Sequence, residues 1–357
     1  MNILINRTDA IGDTLLSTPL ARLIKEKDKN AHIAFLVSPR SGDLIKLCEG
    51  IDEVFVYDSN WPLVKKISFL RNLFKNYKME YYFHLGGSFL PSFFAALNRV
   101  KNRGGLRSKI LSFLFLNKGI RQSRSTVVMH ESEYNMALAA PFNFHFSSSK
   151  YDNYRPIIKI NTEQAKLIRK EENIPNTKKL IIIHPGMSGH TLNWSSRNYG
   201  KLISLLYNKY GDDFVYMVSF TPSDEPYLIG LRDYISQDTK LNKSVKYFDG
   251  SVKGLIHYAH LLSEANLFIG PSTGTTHMAN SLDIPLVALY SPIKVQSSMR
   301  WGPYKHDNSV EVIVPDVVCG ETKYCSGASC PYYECMSKIE VEEVYMACAR
   351  LIEKLDE

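Results

Sequence analysis

Ile3-Leu4-Ile5-Asn6-Arg7-Thr8-Asp9-Ala10-Ile11-Gly12-Asp13-Thr14-Leu15-Leu16 decides the fold. It runs from a short aliphatic segment through a polar turn into an amphipathic stretch, the strand-loop-helix order of a βαβ unit. The pattern recurs downstream. Strands are expected near Ile33 to Val37, Val54 to Val56 and Tyr81 to His84, with helices near Asp13 to Lys27, Asp43 to Cys48 and Leu63 to Tyr77. A second series has strands near Leu180 to His184, Phe214 to Ser219, Leu267 to Ile269 and Leu286 to Leu289. Its helices are expected near Arg197 to Tyr210, Glu225 to Tyr234, Leu255 to Ser263, Thr275 to Leu282 and Val341 to Lys354. The polar stretch 147–156 between the series has neither periodicity and reads as a linker. The expected architecture is α/β, with two doubly wound domains at 1–155 and 156–340 and a C-terminal helix at 341–357. Such folds bind ligands at the carboxyl ends of their strands, so a cleft faced by both domains is expected.

A chain of 357 residues, 45% hydrophobic and 22% charged, has the composition of a packed globular protein, which excludes disordered, collagen-like and disulfide-scaffold classes. The densest apolar runs, Phe89 to Leu97 and Leu111 to Leu116, fall well short of the ~18 residues of a membrane span. The amino terminus lacks a secretory pattern of basic patch, long apolar core and small-residue site, so export is not expected. The net charge is +7, but residues 61–130 hold thirteen Lys or Arg and one acid, Glu80. That stretch therefore carries +12 against −5 for the remainder, so one face meets something anionic or one strongly basic surface is left exposed.

The loops carry the chemistry. After the first strand, one glycine and two carboxylates replace the G-x-G-x-x-G dinucleotide fingerprint, so nicotinamide and flavin binding lose their support. Asp13 reads either as an N-cap or as a carboxylate able to take a proton from a hydroxyl. After Leu180 to His184 comes Pro185-Gly186-Met187-Ser188-Gly189-His190-Thr191-Leu192-Asn193-Trp194, a turn whose backbone N–H groups suit a phosphate. Gly270-Pro271-Ser272-Thr273-Gly274-Thr275-Thr276-His277 follows a strand and opens a helix. Its hydroxyls and glycines exceed what capping needs and point to a second phosphate site.

In this order and separation the loops resemble glycosyltransferase family nine, the lipopolysaccharide heptosyltransferases. The matching pieces are Arg7-x-Asp9-x-Ile11-Gly12-Asp13 with Pro19, His130-Glu131-x-x-Tyr134-Asn135, His184-Pro185-Gly186, Asn193-Trp194 and Gly270-Pro271-Ser272-Thr273-Gly274-x-x-His277 with Pro285 and Ser291-Pro292. The resemblance implies a GT-B fold, with an acceptor-binding first domain and a nucleotide-sugar-binding second domain. It also implies inverting, metal-independent transfer without a cofactor from a nucleotide-diphosphate sugar, typically ADP-heptose, to the inner core of lipid A. Asp13 then matches the catalytic base. Ser188 and Thr191 lie in the phosphate loop, and Ser272, Thr273, Gly274, Thr275 and His277 occupy the motif that holds the donor diphosphate. An acid near Asp224 or Glu225 contacts the donor in the family, while a solvated carboxylate at a helix start is the plain alternative. Two positions depart from the family pattern. Leu192 stands where a lysine is usual, leaving Arg197 or Lys294 to supply charge, and Ser272 stands where an aspartate is usual.

A non-catalytic GT-B protein binding nucleotide or lipid, a transferase using another nucleotide sugar and a sugar-nucleotide epimerase are the competing readings. The basic stretch, with Arg103, Arg107 and Lys109 beside the apolar run 110–116, fits an anionic inner-membrane surface and a cytoplasmic, peripheral placement. Nucleic acid is not expected, because no nucleic-acid motif accompanies the charge. Cys319-x5-Cys325-x4-Cys330-x4-Cys335 lacks the C-x-x-C knuckle. It reads as a structural cluster, with metal binding left open.

Overall fold

The computed structural model describes residues 1–108, 110–147, 154–187, 189, 191–304 and 309–355. Lys109, Ser188 and most of the expected linker lie outside the described residues. The chain forms two compact units, Met1–Arg124 with Met129–Lys159, and Ile160–Glu357 with Ser125–Val128.

In the first unit six strands pair in parallel: β1 (Asn2–Arg7), β2 (His32–Val37), β3 (Glu53–Val56), β4 (Tyr81–Gly86), β5 (Asn102–Leu106) and β6 (Lys118–Ile120). Their order is β3-β2-β1-β4-β5-β6. The second unit repeats the plan with β7 (Lys179–Ile183), β8 (Phe214–Phe220), β9 (Val245–Asp249), β10 (Leu267–Pro271), β11 (Leu286–Leu289) and β12 (Val310–Ile313), in the order β12-β11-β10-β7-β8-β9. Counted from its own first strand, each sheet has the dinucleotide-fold order 3-2-1-4-5-6, which reverses between the first and fourth strands. The loops after β1, β7 and β10 therefore sit at switch points, where an open α/β sheet offers its crevice.

Helices flank both sheets, which explains the aliphatic runs of the central strands. Ile3, Leu4 and Ile5, and likewise Ile181, Ile182 and Ile183, are wholly buried, as strands covered on both faces must be. In the second unit Trp194 is buried in the main cluster and donates its indole N–H to the Ile339 carbonyl at 2.9 Å. This bond ties the loop after β7 to the approach of the last helix, Val341–Glu353.

Four strands were not expected from sequence: β5, β6, β9 and β12. The first, Asn-Arg-Gly-Gly-Leu, has the composition of a turn, but its glycines answer to packing. A Cβ at Gly104 would stand 2.5 Å from the Phe142 ring and 3.0 Å from Phe83. The expected helix Asp13 to Lys27 is two helices, Ile11–Leu15 and Pro19–Lys27, because Pro19 cannot donate an N–H and restarts the helix at its own N1. The apolar run near residue 111 is a separate helix, Ile110–Phe115.

Candidate active site

The loop after β1 is organised around one buried cation. Arg7 is 4% exposed. Its Nε donates to Asp9 Oδ1 at 2.8 Å, its Nη1 to the Leu85 carbonyl at 2.9 Å, and its Nη2 to Asp13 Oδ1. Glu131, also buried, stands 3.8 Å from Nη1 and accepts from Arg124 at 2.5 Å. Burial alone would depress the Arg7 pKa, but Asp13, Asp9 and Glu131 together outweigh it and raise it further. The same burial pushes the Asp9 carboxyl up, with the Arg7 charge pulling the other way.

Asp13 is not the cap. Ala10 holds the extended N-cap position of the helix Ile11–Leu15, and no side chain caps it. Asp13 lies one turn in, its side chain 26% exposed and anchored by Arg7 through Oδ1. Its second oxygen has no hydrogen-bond partner among the described residues. The segment His130-Glu131-x-x-Tyr134-Asn135 explains the anchoring. Glu131 braces Arg7, and Asn135 Nδ2 donates to the Leu16 carbonyl and to Ser17 Oγ, both at 3.2 Å, which fixes the far end of that helix.

In the second unit the loop after β7 begins at His184, which is buried, with Nδ1 3.2 Å from Ser219 Oγ; that hydroxyl pairs with Tyr258 OH at 2.9 Å. Burial lowers the His184 pKa, and the nearby Asp224 opposes the shift. Gly186 lies against that same Asp224, where a Cβ would come within 2.2 Å of the carboxyl carbon. Asp224 is 5% exposed, and its Oδ2 accepts the Thr221 N–H and hydroxyl, both at 2.8 Å. It is therefore a capping carboxylate rather than a solvated one. Glu225 is exposed and pairs with Arg232 at 2.6 Å.

The loop after β10 builds the expected hydroxyl cluster. Thr273 is the extended N-cap of the helix Gly274–Ser281 with no side-chain cap bond. Its Oγ1 lies 2.7 Å from Thr275 Oγ1 and 3.4 Å from Thr276 Oγ1, while Thr276 donates to the Pro271 carbonyl. Ser272, Thr273, Gly274 and Thr275 are all partly exposed at the start of that helix. His277 is buried one turn further in. Ser272 lies near buried Tyr290, which donates to the Trp301 carbonyl at 2.7 Å. Thr191 is half-buried and its hydroxyl has no partner among the described residues. Leu192 packs against the core, and Arg197 lies over the Tyr234 ring at 5.5 Å. The supports at Ser219, Tyr258 and Tyr290 were not singled out from sequence, since a lone hydroxyl among apolar residues carries no local signal of what it will meet.

The basic segment divides. Arg103 in β5 spends its guanidinium on the Phe115 and Val100 carbonyls, which makes it a brace for the helix Ile110–Phe115. Arg107 lies 4.3 Å over the Phe113 ring. Ile110, Phe113 and Leu114 are exposed, Ile110 to 79%. No helix among the described residues is long and apolar enough to cross a membrane.

Two six-stranded parallel sheets of this order, each flanked by helices, define the GT-B fold class. Residues 252–322 match the model of glycosyltransferase family 9 (heptosyltransferase). A putative glycosyltransferase of Haemophilus influenzae is 26% identical over 308 residues, covering 84% of this chain and 85% of that one. The fold matches E. coli ADP-heptose LPS heptosyltransferase II with a TM-score of 0.79 at 16% identity over all of both chains. It matches a family 9 glycosyl transferase of Veillonella parvula with a TM-score of 0.78 at 17% identity, over 99% of this chain and 97% of that one. An E. coli heptosyltransferase solved with ADP gives 0.70 at 14% identity, over 98% of this chain and all of that one. The chain is thus heptosyltransferase-like, and the resemblance read from its loops to glycosyltransferase family nine stands.

Proposed function

We propose that this protein is an inverting glycosyltransferase that moves a sugar from a nucleotide-diphosphate donor, heptose from ADP-heptose in the first place, onto a hydroxyl of the lipopolysaccharide inner core. The observation that carries the reading is Asp13, a partly exposed carboxylate in the loop and helix that follow β1, held by Arg7 through one oxygen only. Arg7 fixes the direction of the carboxylate while the second oxygen accepts the acceptor's proton. The acceptor oxygen then attacks the anomeric carbon as the bond to the diphosphate breaks, and configuration inverts in one displacement.

The leaving diphosphate needs donors where its charge grows. The N-terminus of Gly274–Ser281, with Thr273 and Thr275 at its mouth, supplies amide N–H groups, hydroxyls and a favourable dipole. Thr191 and the glycine-bearing loop after β7 add a second set of donors. In this reading the second unit binds the donor and the first binds the acceptor. Asp224 shapes the donor loop by packing on Gly186, and Glu225 remains a candidate donor contact. The anionic inner leaflet is the proposed partner of the basic segment near Arg107, Lys109 and the exposed face of Ile110–Phe115, with Arg103 bracing it.

A thermal-shift panel of ADP, GDP, UDP and CMP, followed by transfer assays with the matching sugar nucleotides, tests the reading. A ligand at 100 times its dissociation constant raises stability by ~2.7 kcal/mol. ADP should stand apart, and transfer should follow with inversion. Nucleotide binding without transfer or hydrolysis would favour a non-catalytic binding protein instead.

A further inference from the structure

Cys319, Cys325, Cys330 and Cys335 line one pocket of about 380 Å³ in the second unit, beside Leu192 and Asn193 of the loop after β7. None of the cysteines is disulfide-bonded. Two of the four are also held in a particular way. Cys325 Sγ accepts the Gly327 backbone N–H at 3.3 Å, and Cys330 Sγ accepts the Tyr332 N–H at 3.4 Å. Both bonds reach back from the second residue after the cysteine. A thiol sulfur is a weak acceptor, whereas metal-bound thiolates are oriented and tuned by such N–H groups.

The segment has little else to order it. Between β12 and the last helix it contains only two short 3₁₀ turns, Gly327–Ser329 and Cys335–Lys338. Gly327 and Glu334 take left-handed conformations with φ of 62° and 59°, which turn the chain back toward the pocket. Backbone bonds from Lys294 and Val295 to the Glu321 and Thr322 carbonyls fix its near end. A long connection with so little regular structure needs a staple, and four soft ligands around one pocket are the chemistry of a structural metal.

We propose that Cys319, Cys325, Cys330 and Cys335 bind one zinc-class ion as four thiolates, stapling this segment against the loop after β7. No three His, Cys, Asp or Glu side chains among the described residues are gathered closely enough to hold an ion as they stand. Binding therefore draws the sulfurs inward from the pocket walls and releases their thiol protons, so that metal affinity and local order are coupled. The ion is structural, takes no part in the sugar transfer and stands independently of the function proposed above.

Metal analysis of the full chain, purified without chelator or histidine tag, tests this. About one zinc per chain is expected, falling at least tenfold in Cys330→Ser and in Cys319→Ser. Cys48→Ser, in the first unit, should retain it. Chelated wild-type chain refilled with Co²⁺ should show thiolate-to-cobalt charge-transfer absorption with tetrahedral ligand-field bands, a readout that does not depend on any variant folding. A metal-free wild type without cobalt bands would overturn the proposal. Iron with acid-labile sulfide, or loss of H₂ per cysteine pair by mass spectrometry, would overturn it as well.

Discussion

At the scale of single residues, Arg7 and Asp13 carry separable roles. Asp13→Asn keeps the shape and the bond to Arg7 but cannot take a proton. Transfer should fall by ~10²–10⁴-fold while nucleotide affinity and melting temperature stay near wild type. Near-normal turnover in a well-folded variant would leave Asp13 a merely positional carboxylate. Arg7→Gln acts differently, because it strips the shared cation from Asp9, Asp13 and Glu131. Its cost should approach, without reaching, the ~3–5 kcal/mol of breaking a buried pair, since Asp9 and Asp13 see solvent and Glu131 keeps Arg124. Denaturant unfolding measures it, and an unchanged midpoint would show that the cluster contributes nothing to stability.

At the scale of elements, the two loops of the second unit should respond to different probes. Gly274→Val places a branched side chain at the first position of the helix proposed to meet the diphosphate. Calorimetry should find ADP binding weakened by more than the fold is destabilised; unchanged affinity would take this loop out of the donor site. The loop after β7 reports through His184. Its folded pKa lies below the ordinary 6.5, so the unfolded state binds the proton more readily. The stability His184 contributes is present above pH ~6.5 and is lost as pH falls below that value toward the folded pKa. Replacing His184 by Gln should flatten the fall in melting temperature over that interval, and an unaltered profile would assign the acid sensitivity to other groups.

At the scale of the whole molecule, charge is segregated along the chain, and the structure places an exposed apolar helix face, Ile110 to Leu114, beside the basic cluster. Each Lys or Arg near an anionic bilayer contributes ~1 kcal/mol. Wild type should bind anionic liposomes at low salt and release them as salt rises. Arg103→Glu, Arg107→Glu and Lys109→Glu together should abolish binding while activity on a soluble acceptor fragment falls less. Because Arg103 braces the helix, Arg107→Glu alone is the cleaner variant and should weaken binding in the same direction. Indifference of the wild type to anionic liposomes would remove the membrane from the account.

The central strands and the helices between them were legible because aliphatic runs buried on both faces announce themselves locally, as Ile3 to Ile5 and Ile181 to Ile183 do. The edge strands β6 and β9 and the glycine strand β5 were not, since what makes Gly104 strand-like is the Phe142 ring pressed against it from far along the chain. The loops that hold Asp13, Thr273 and Gly274 could be located from order and spacing alone. Which residue caps and which one projects could not. Asp13 has the composition of a cap, yet Ala10 occupies that position, while Asp224, which reads equally as a donor contact or a solvated carboxylate, is a buried cap on Thr221. A residue's type limits what its side chain can do, and that much the chain carries in itself. Its partners are set by strand order, which brings Arg7 to Glu131 and Gly186 to Asp224 across long stretches of sequence, and only the tertiary structure decides them.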